Sequence, residues 1–297
     1  MQIDIDTGCG FCSGVVRAVA LAEEHLKNHG TLYCLGELIH NAQERKRLED
    51  LGMQHIEKHD MQQLPRGSHI LIRAHGEPPS TFELARQRGY RLIDATCPVV
   101  KRLQWKVKIA SDLAVEKEGQ VIIIGKKKHA EIRGLTGHAG NRALVVEDES
   151  DLTNVQPGIP AVIYSQTTEN PGHFAELAAQ IEQIVHSGNP DAEVQINPTI
   201  CRQMSGREPR LKAFAGSHDV ILFVSDPMSS NGRMLYQSAL SANRNTHFIE
   251  HAGEIQSAWF RNARSVGISG ATSTPGWLLR EVATRVEILT RENGSSG

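Results

Sequence analysis

Two kinds of apolar pattern alternate along the chain. Short, nearly unbroken apolar runs such as TLYCLG, QVIIIG and DVILFVS suit strands buried on both faces, as in parallel sheets. Longer stretches place apolar residues at every third or fourth position: GVVRAVALAEEHL, PVVKRLQWKVKIASDLA, TFELARQRG, HFAELAAQIEQIV and WLLREVATRVEIL. These read as amphipathic helices. SGREPRLKAFAG is a weaker helix, because Pro209 interrupts it. The two patterns recur in a fixed order. Cys12, Cys97 and Cys201, roughly a third of the chain apart, each precede a helix, then a strand, then a polar loop (GELIHN, GKKKHAEIRG, SDPMSSNGR). A second strand follows near QHIEKHD, ALVVEDE and THFIEHA, and a third at HILIR, AVIYS and SVGIS. The third strand ends in a proline-containing turn (AHGEPPS, QTTENPG, GATSTPG) that leads into another helix. A last strand, YRLIDATC or AEVQINPTIC, runs into the next cysteine. The third unit lacks such a strand, and the N-terminal MQIDID is left over to supply it.

The expectation is an α/β protein of three similar small parallel-sheet lobes: 12–97, 98–200 and 201–297, the last completed by residues 1–11. Pattern alone leaves one or two ordinary doubly wound domains open, since βα repetition is generic. In either arrangement ligands bind off the carboxyl ends of strands, where the three cysteines and both sets of polar loops fall.

Composition narrows the function. With 39% hydrophobic and 22% charged residues the chain can build real cores. A formal net charge of −2 argues against broad nucleic-acid binding and against a polybasic membrane anchor. No apolar run reaches the roughly 18 residues of a transmembrane helix. The start, MQIDIDTGCG, lacks the basic-then-apolar plan of a secretory signal, and five cysteines do not pair off evenly, so a cytoplasmic protein with reduced thiols is expected. The 14 histidines are many for 297 residues.

The loops carry matched chemistry. His40, His129 and Ser229 open the first loop of each unit, roughly 30 residues past the cysteine. His75, Thr167 and Ser273 lie in the second. If the units face a common axis, these groups converge with the three thiols, Asn231 and Glu131. Three distant cysteines suit a [4Fe–4S] cluster with one iron not held by protein, better than a structural zinc with its close CxxC pairs. Imidazoles, hydroxyls and helix N-termini suit an anion, most simply a phosphate or diphosphate. The residues thus point to an iron–sulfur enzyme acting on a small phosphorylated substrate.

The ordered motifs GFCSGVVRAV, ELIHN, RAHGEP, DATCPVV, HAEIRG, SQTT, TIC, SSN and TSTP resemble the 4-hydroxy-3-methylbut-2-enyl diphosphate reductase (LytB) family over nearly the whole chain. That resemblance implies a three-lobed α/β fold around a [4Fe–4S] cluster held by Cys12, Cys97 and Cys201. It implies that His40, His75, His129, Ser229, Ser230, Asn231 and Ser273 bind a diphosphate, that Thr167 positions the substrate hydroxyl, and that Glu131 delivers protons. It further implies loss of an allylic hydroxyl with two electrons and two protons, giving isopentenyl and dimethylallyl diphosphates, and a reduced ferredoxin or flavodoxin as donor. The chain departs from the family pattern at Gly8-Cys9, at RQMSGREP after TIC, and at Ala271.

Other residues read more plainly. Cys9 is expected to be a neighbour of the ligands, and Cys34 a buried packing residue. His25, His29, His55, His59, His69, His186, His218, His247 and His251 read as structural or solvated, and His138, which follows the HAEIRG loop, is left open. Lys126, Lys127 and Lys128 read as a solvated loop rather than an electrostatic lure. The competing function is a zinc-bound phosphate- or nucleotide-binding module, which would need Cys9 or a histidine as fourth ligand. A radical enzyme using S-adenosylmethionine is disfavoured, because no three closely spaced cysteines share a loop.

Overall fold

The computed structural model describes residues 1–294, and their side chains except those of Ser230 and residues 292–294. The chain begins β1 (Gln2–Ile5), α1 (Ser13–His29), β2 (Leu32–Leu35), α2 (Ala42–Asp50), β3 (Met53–Ile56), β4 (His69–Ile72), α3 (Pro79–Arg88) and β5 (Arg91–Asp94). It continues α4 (Pro98–Glu116), β6 (Gln120–Ile124), α5 (Ala130–His138), β7 (Leu144–Val146), β8 (Ala161–Ser165), α6 (Pro171–Gly188) and β9 (Val194–Asn197). It closes α7 (Arg202–Ser205), α8 (Arg207–Gly216), β10 (Val220–Val224), α9 (Ser230–Ala242), β11 (Thr246–Ile249), β12 (Ser265–Gly270) and α10 (Gly276–Gly294).

The strands form three four-stranded sheets in which every described pairing is parallel. Their orders are β3-β2-β4-β5, β7-β6-β8-β9 and β11-β10-β12-β1. Each is the same sequence of second, first, third and last strand, so the threefold repeat is real. The N-terminal strand does supply the missing edge: Gln2 to Ile5 pair with Ser265 to Ile268.

Two compact units hold these sheets. One comprises residues 1–19, 37–52 and 206–297 and contains the sheet with β1. Its central strand β10 is buried along its whole length. Ile221 and Phe223 face Leu211, Ala215 and Leu235, while Val220, Leu222 and Val224 face Leu278, Val282 and Val286. This is the period of two of a strand covered on both sides. Helix α2 belongs to this unit: Trp277 Nε1 donates to Glu44 Oε2 at 2.7 Å, and Gln43 Nε2 donates to the Glu250 carbonyl at 3.2 Å.

The other unit comprises residues 20–36 and 53–205 and contains the remaining two sheets. In β6, Val121 and Ile123 pack with Leu103 and Val107 of α4, while Ile122 and Ile124 pack with Phe174, Leu177 and Ile181 of α6. Burying such a side chain contributes about 1.5–3 kcal/mol.

The structure adds helices that the pattern did not reveal. The loops between first and second strands carry α2, α5 and α9. In α2 the sequence AQERKRLED offers one buried aliphatic side chain, Leu48, so no apolar stripe announces it. Pro209 does not interrupt α8. It is the third helical residue, in the first turn, where its missing N–H would have had no helical partner.

Candidate active site

In the second unit, the residues singled out by spacing form one connected set at the carboxyl ends of the strands. Three residues past β4 lies His75, and Gly76 follows with φ +72°. A Cβ on Gly76 would lie 2.3 Å from Gln104 Nε2, so both conformation and space demand glycine here. The His75 ring meets that of His129 edge-on, with centroids 5.0 Å apart. His129 is the N-cap of α5, and its Nδ1 accepts the Glu131 N–H at 3.2 Å. That bond makes Nε2 the protonated nitrogen of the neutral ring.

Glu131 is almost wholly enclosed, at 1% exposure. Its Oε1 accepts the Thr167 N–H and its Oε2 the Thr167 hydroxyl, both at 2.7 Å. Burial nonetheless wins over these two bonds and raises the carboxyl above its ordinary range. The Thr167 carbonyl accepts the Cys201 N–H at 2.8 Å, and the Ala74 carbonyl accepts the Cys97 N–H at 3.0 Å. Two turns hold these cysteines. Thr199 Oγ1 accepts from Ser165 N at 3.0 Å and donates to the Ser165 carbonyl at 2.7 Å, tying TIC to SQTT. Asp94 accepts from Thr96 N at 2.9 Å and meets Lys101 Nζ at 2.6 Å, shaping the turn before Cys97. Cys97 is then the N-cap of α4, with Pro98 in its first turn. Cys97, His75, His129, Glu131, Thr167 and Cys201 therefore belong to a single run of contacts.

In the first unit, Ser229 caps α9 by accepting the Gly232 N–H at 3.1 Å. Asn231 Oδ1 accepts from the Thr272 hydroxyl at 3.3 Å, which joins the SSN loop to the TSTP turn. The neighbouring Ser273 hydroxyl is buried, with no hydrogen-bond partner among the described residues, close to the N-terminus of α10. Ser230 is the first residue of α9, and its side chain lies outside the described residues. His40 is exposed, bonded through Nδ1 to Glu37 Oε2 at 2.8 Å. It lines a cavity of 520 Å³ with Asn41, Arg45, Asp226 and Glu250.

The five cysteines divide by environment. Burial pushes the Cys34 thiol up to about 12, and burial with the Asp6 carboxylate does the same to Cys9. Those two are poor sources of thiolate. Cys12, Cys97 and Cys201 are partly exposed, at turns between a strand and a helix. Three accessible sulfur donors without a close CxxC pair among them fit a soft, thiolate-bound iron–sulfur group.

Sequence reasoning missed Arg207. Its guanidinium is buried and donates to the carbonyls of Gly8, at 2.9 Å, and Gly10, at 2.6 Å, fixing the loop that carries Cys12. No spacing rule marks an arginine that reaches back so far along the chain. It lies in the REP stretch where the chain departs from the family pattern. Lys127, in the basic run, is paired with Asp151.

The family model described as LytB protein matches residues 3–287. The chain is 41% identical to 4-hydroxy-3-methylbut-2-enyl diphosphate reductase of Bacteroides thetaiotaomicron over 98% of its own length and 100% of the relative's. It is 43% identical to the reductase of the same name from Parabacteroides distasonis, over 97% and 98%. Among solved structures it is similar to an (E)-4-hydroxy-3-methyl-but-2-enyl diphosphate reductase, the terminal enzyme of the non-mevalonate pathway. The TM-score is 0.79 and identity 36%, covering 97% of this chain and 100% of the other. The corresponding reductase from Plasmodium falciparum gives a TM-score of 0.76 at 26% identity, covering 95% of this chain and 87% of the other.

Proposed function

Because the chain belongs to the LytB family, we propose that it is an enzyme that reductively removes the hydroxyl of 4-hydroxy-3-methylbut-2-enyl diphosphate. The products are isopentenyl and dimethylallyl diphosphates, with the oxygen leaving as water after uptake of two electrons and two protons. The observation that carries the chemistry is the enclosed Glu131 carboxyl, gripped by Thr167 within the same run of contacts as Cys97 and Cys201.

Cys12, Cys97 and Cys201 would hold a [4Fe–4S] cluster. When bound, that cluster supplies the electrons and a Lewis-acidic iron. The protein's own groups do the rest. His129 presents Nε2–H to the diphosphate beside the N-terminus of α5, and His75 packs against it. Ser229, Ser230, Asn231 and Ser273 serve the same anion from the N-terminus of α9, with His40 as a further donor. Glu131 keeps its proton to higher pH than an ordinary glutamate and so can hand it to the leaving hydroxyl oxygen, while Thr167 orients both. The lobe boundaries that go with this reading are 12–97, 98–200 and 201–297 with 1–11. We place the enzyme in the cytoplasm, with a reduced ferredoxin or flavodoxin as donor. No helix among the described residues is long and apolar enough to cross a membrane.

Anaerobic purification tests this reading directly. The expected protein is brown, with about four irons and matching acid-labile sulfide per chain, and it converts the hydroxy diphosphate when supplied with a strong reductant. A colourless protein after anaerobic reconstitution, or one zinc with no sulfide, would overturn it.

A further inference from the structure

The second unit carries another histidine group, at the opposite end of β4 from His75. His25 and His29 lie one turn apart on the last two turns of α1, on one face of the helix. His69 is the first residue of β4. The three rings meet with centroids 4.5, 4.6 and 5.2 Å apart. His69 Nδ1 and His25 Nε2 are 2.9 Å apart, within hydrogen-bond reach. One nitrogen of each ring lies within 4.8 Å of the corresponding nitrogens of the other two. Neither carboxylate nor thiol joins them among the described residues.

We propose that His25, His29 and His69 form a binding site for a divalent zinc-like cation, with the fourth position left to solvent. Three imidazoles and an open position make a common zinc donor set. With Zn–N bonds of about 2.0–2.1 Å, tetrahedral geometry places ligand nitrogens about 3.3 Å apart. The pair at 2.9 Å is already near that spacing, and the exposed His29 side chain has room to swing inward. Binding replaces the His25–His69 hydrogen bond, and the proton on the donor ring moves to that ring's far nitrogen.

The backbone favours a cation here. His29 is the last residue of α1, so the group sits at the helix C-terminus, where unpaired carbonyls carry partial negative charge. Opposing this are Lys27 on the same turn and Arg91, which pairs in register with His69. That surplus of positive charge favours hydroxide or chloride as the fourth ligand. Strand β4 runs from His69 to Ile72, roughly 10 Å at about 3.3 Å per residue, and a turn closed by the Gly76 N–H on the Arg73 carbonyl then carries His75 at the far end. The cation would therefore not touch the substrate groups. It would fasten the end of α1 to the start of β4, and so stabilise the folded unit by mass action.

Zinc uptake separates this site from the cysteines. Wild type and His29→Ala, both anaerobic and cluster-loaded with all five cysteines present, are titrated with zinc against a chromogenic chelator. Thiol-bound zinc is then common to both. The wild type is expected to bind one more zinc per chain than the variant, whose affinity at this site falls by at least about 100-fold. Zinc should also raise the melting temperature of the wild type and not of His29→Ala, an exposed position that leaves the core alone. His69→Gln provides the second variant, with the same expectation. Equal zinc uptake, or an equal zinc-dependent rise in melting temperature, in wild type and either variant would show that no such site exists.

Discussion

Histidines gather at both ends of β4, and the helix end beside each group separates them. Past the carboxyl end, His129 caps the N-terminus of α5 and spends Nδ1 on a backbone N–H, which puts the neutral ring's proton on Nε2. At the amino end, His25 and His29 ride the C-terminus of α1, and the ring nitrogens point at one another and at His69. On the readings proposed above, one set would offer protons to an anion and the other lone pairs to a cation, and the helix end beside each set favours that choice, an N-terminus for the anion and a C-terminus for the cation.

Variants at the anion end can break this contrast. The largest effect is expected from Cys97→Ser, which should abolish the brown absorption, while Cys34→Ala retains it; a retained cluster spectrum in Cys97→Ser would remove that ligand. Next, Glu131→Gln should lower turnover by about 10²–10⁴-fold with little change in substrate binding, measured by steady-state kinetics and by substrate titration. Full turnover would mean that protons arrive by another route.

A smaller effect follows from the raised Glu131 carboxyl. The folded state holds this proton above pH 4.5, the ordinary value, where the unfolded chain releases it. Stability is therefore lost as pH rises from the unfolded value through the raised folded one, and the deficit persists above it. Relative to Glu131→Gln, wild type should lose stability as pH rises above the ordinary carboxylate value of 4.5, as read from denaturant melts. The smallest effect sharpens the role of the cap. His129→Asn should keep the α5 cap and its stability while weakening diphosphate binding. His129→Ala should lose both, at about 1 kcal/mol of folding free energy.

Much of the fold was legible because parallel strands buried on both faces must be written in continuous apolar residues, as β6 and β10 are. The turns at Cys97, Thr167 and Ser273 were legible because they recur. The helices between the first and second strands were not. The α5 sequence AEIRGLTGH is short and contains two glycines, and α2 is mostly charged. Gly137 is there for contact, since a Cβ on it would sit 2.3 Å from Pro78 Cβ. Pro209 was misread because a breaker in mid-helix and a neutral residue in the first turn look alike until the helix start is known. His25 and His29 showed helical spacing, but the third ring comes from a strand 40 residues further on, with His25 and His69 separated by 44 positions. Arg207 left no signal, because its 199-residue reach to Gly8 depends on tertiary structure alone.

The pairing of β1 with β12 also sets an order of events during synthesis. Ser269 donates to Asp6 across 263 residues of chain, and Gln2 waits for Ser265 over the same interval. At about 5–20 residues per second the ribosome needs roughly 13–50 seconds to cover that distance. For all that time the strand that leads to Cys12 has no neighbour to hydrogen-bond with. The other two sheets draw only on residues 32–197 and can assemble while the chain is still growing. The segment that precedes Cys12 thus finds its place late, and the cysteine attached to it is set only after β12 has been made.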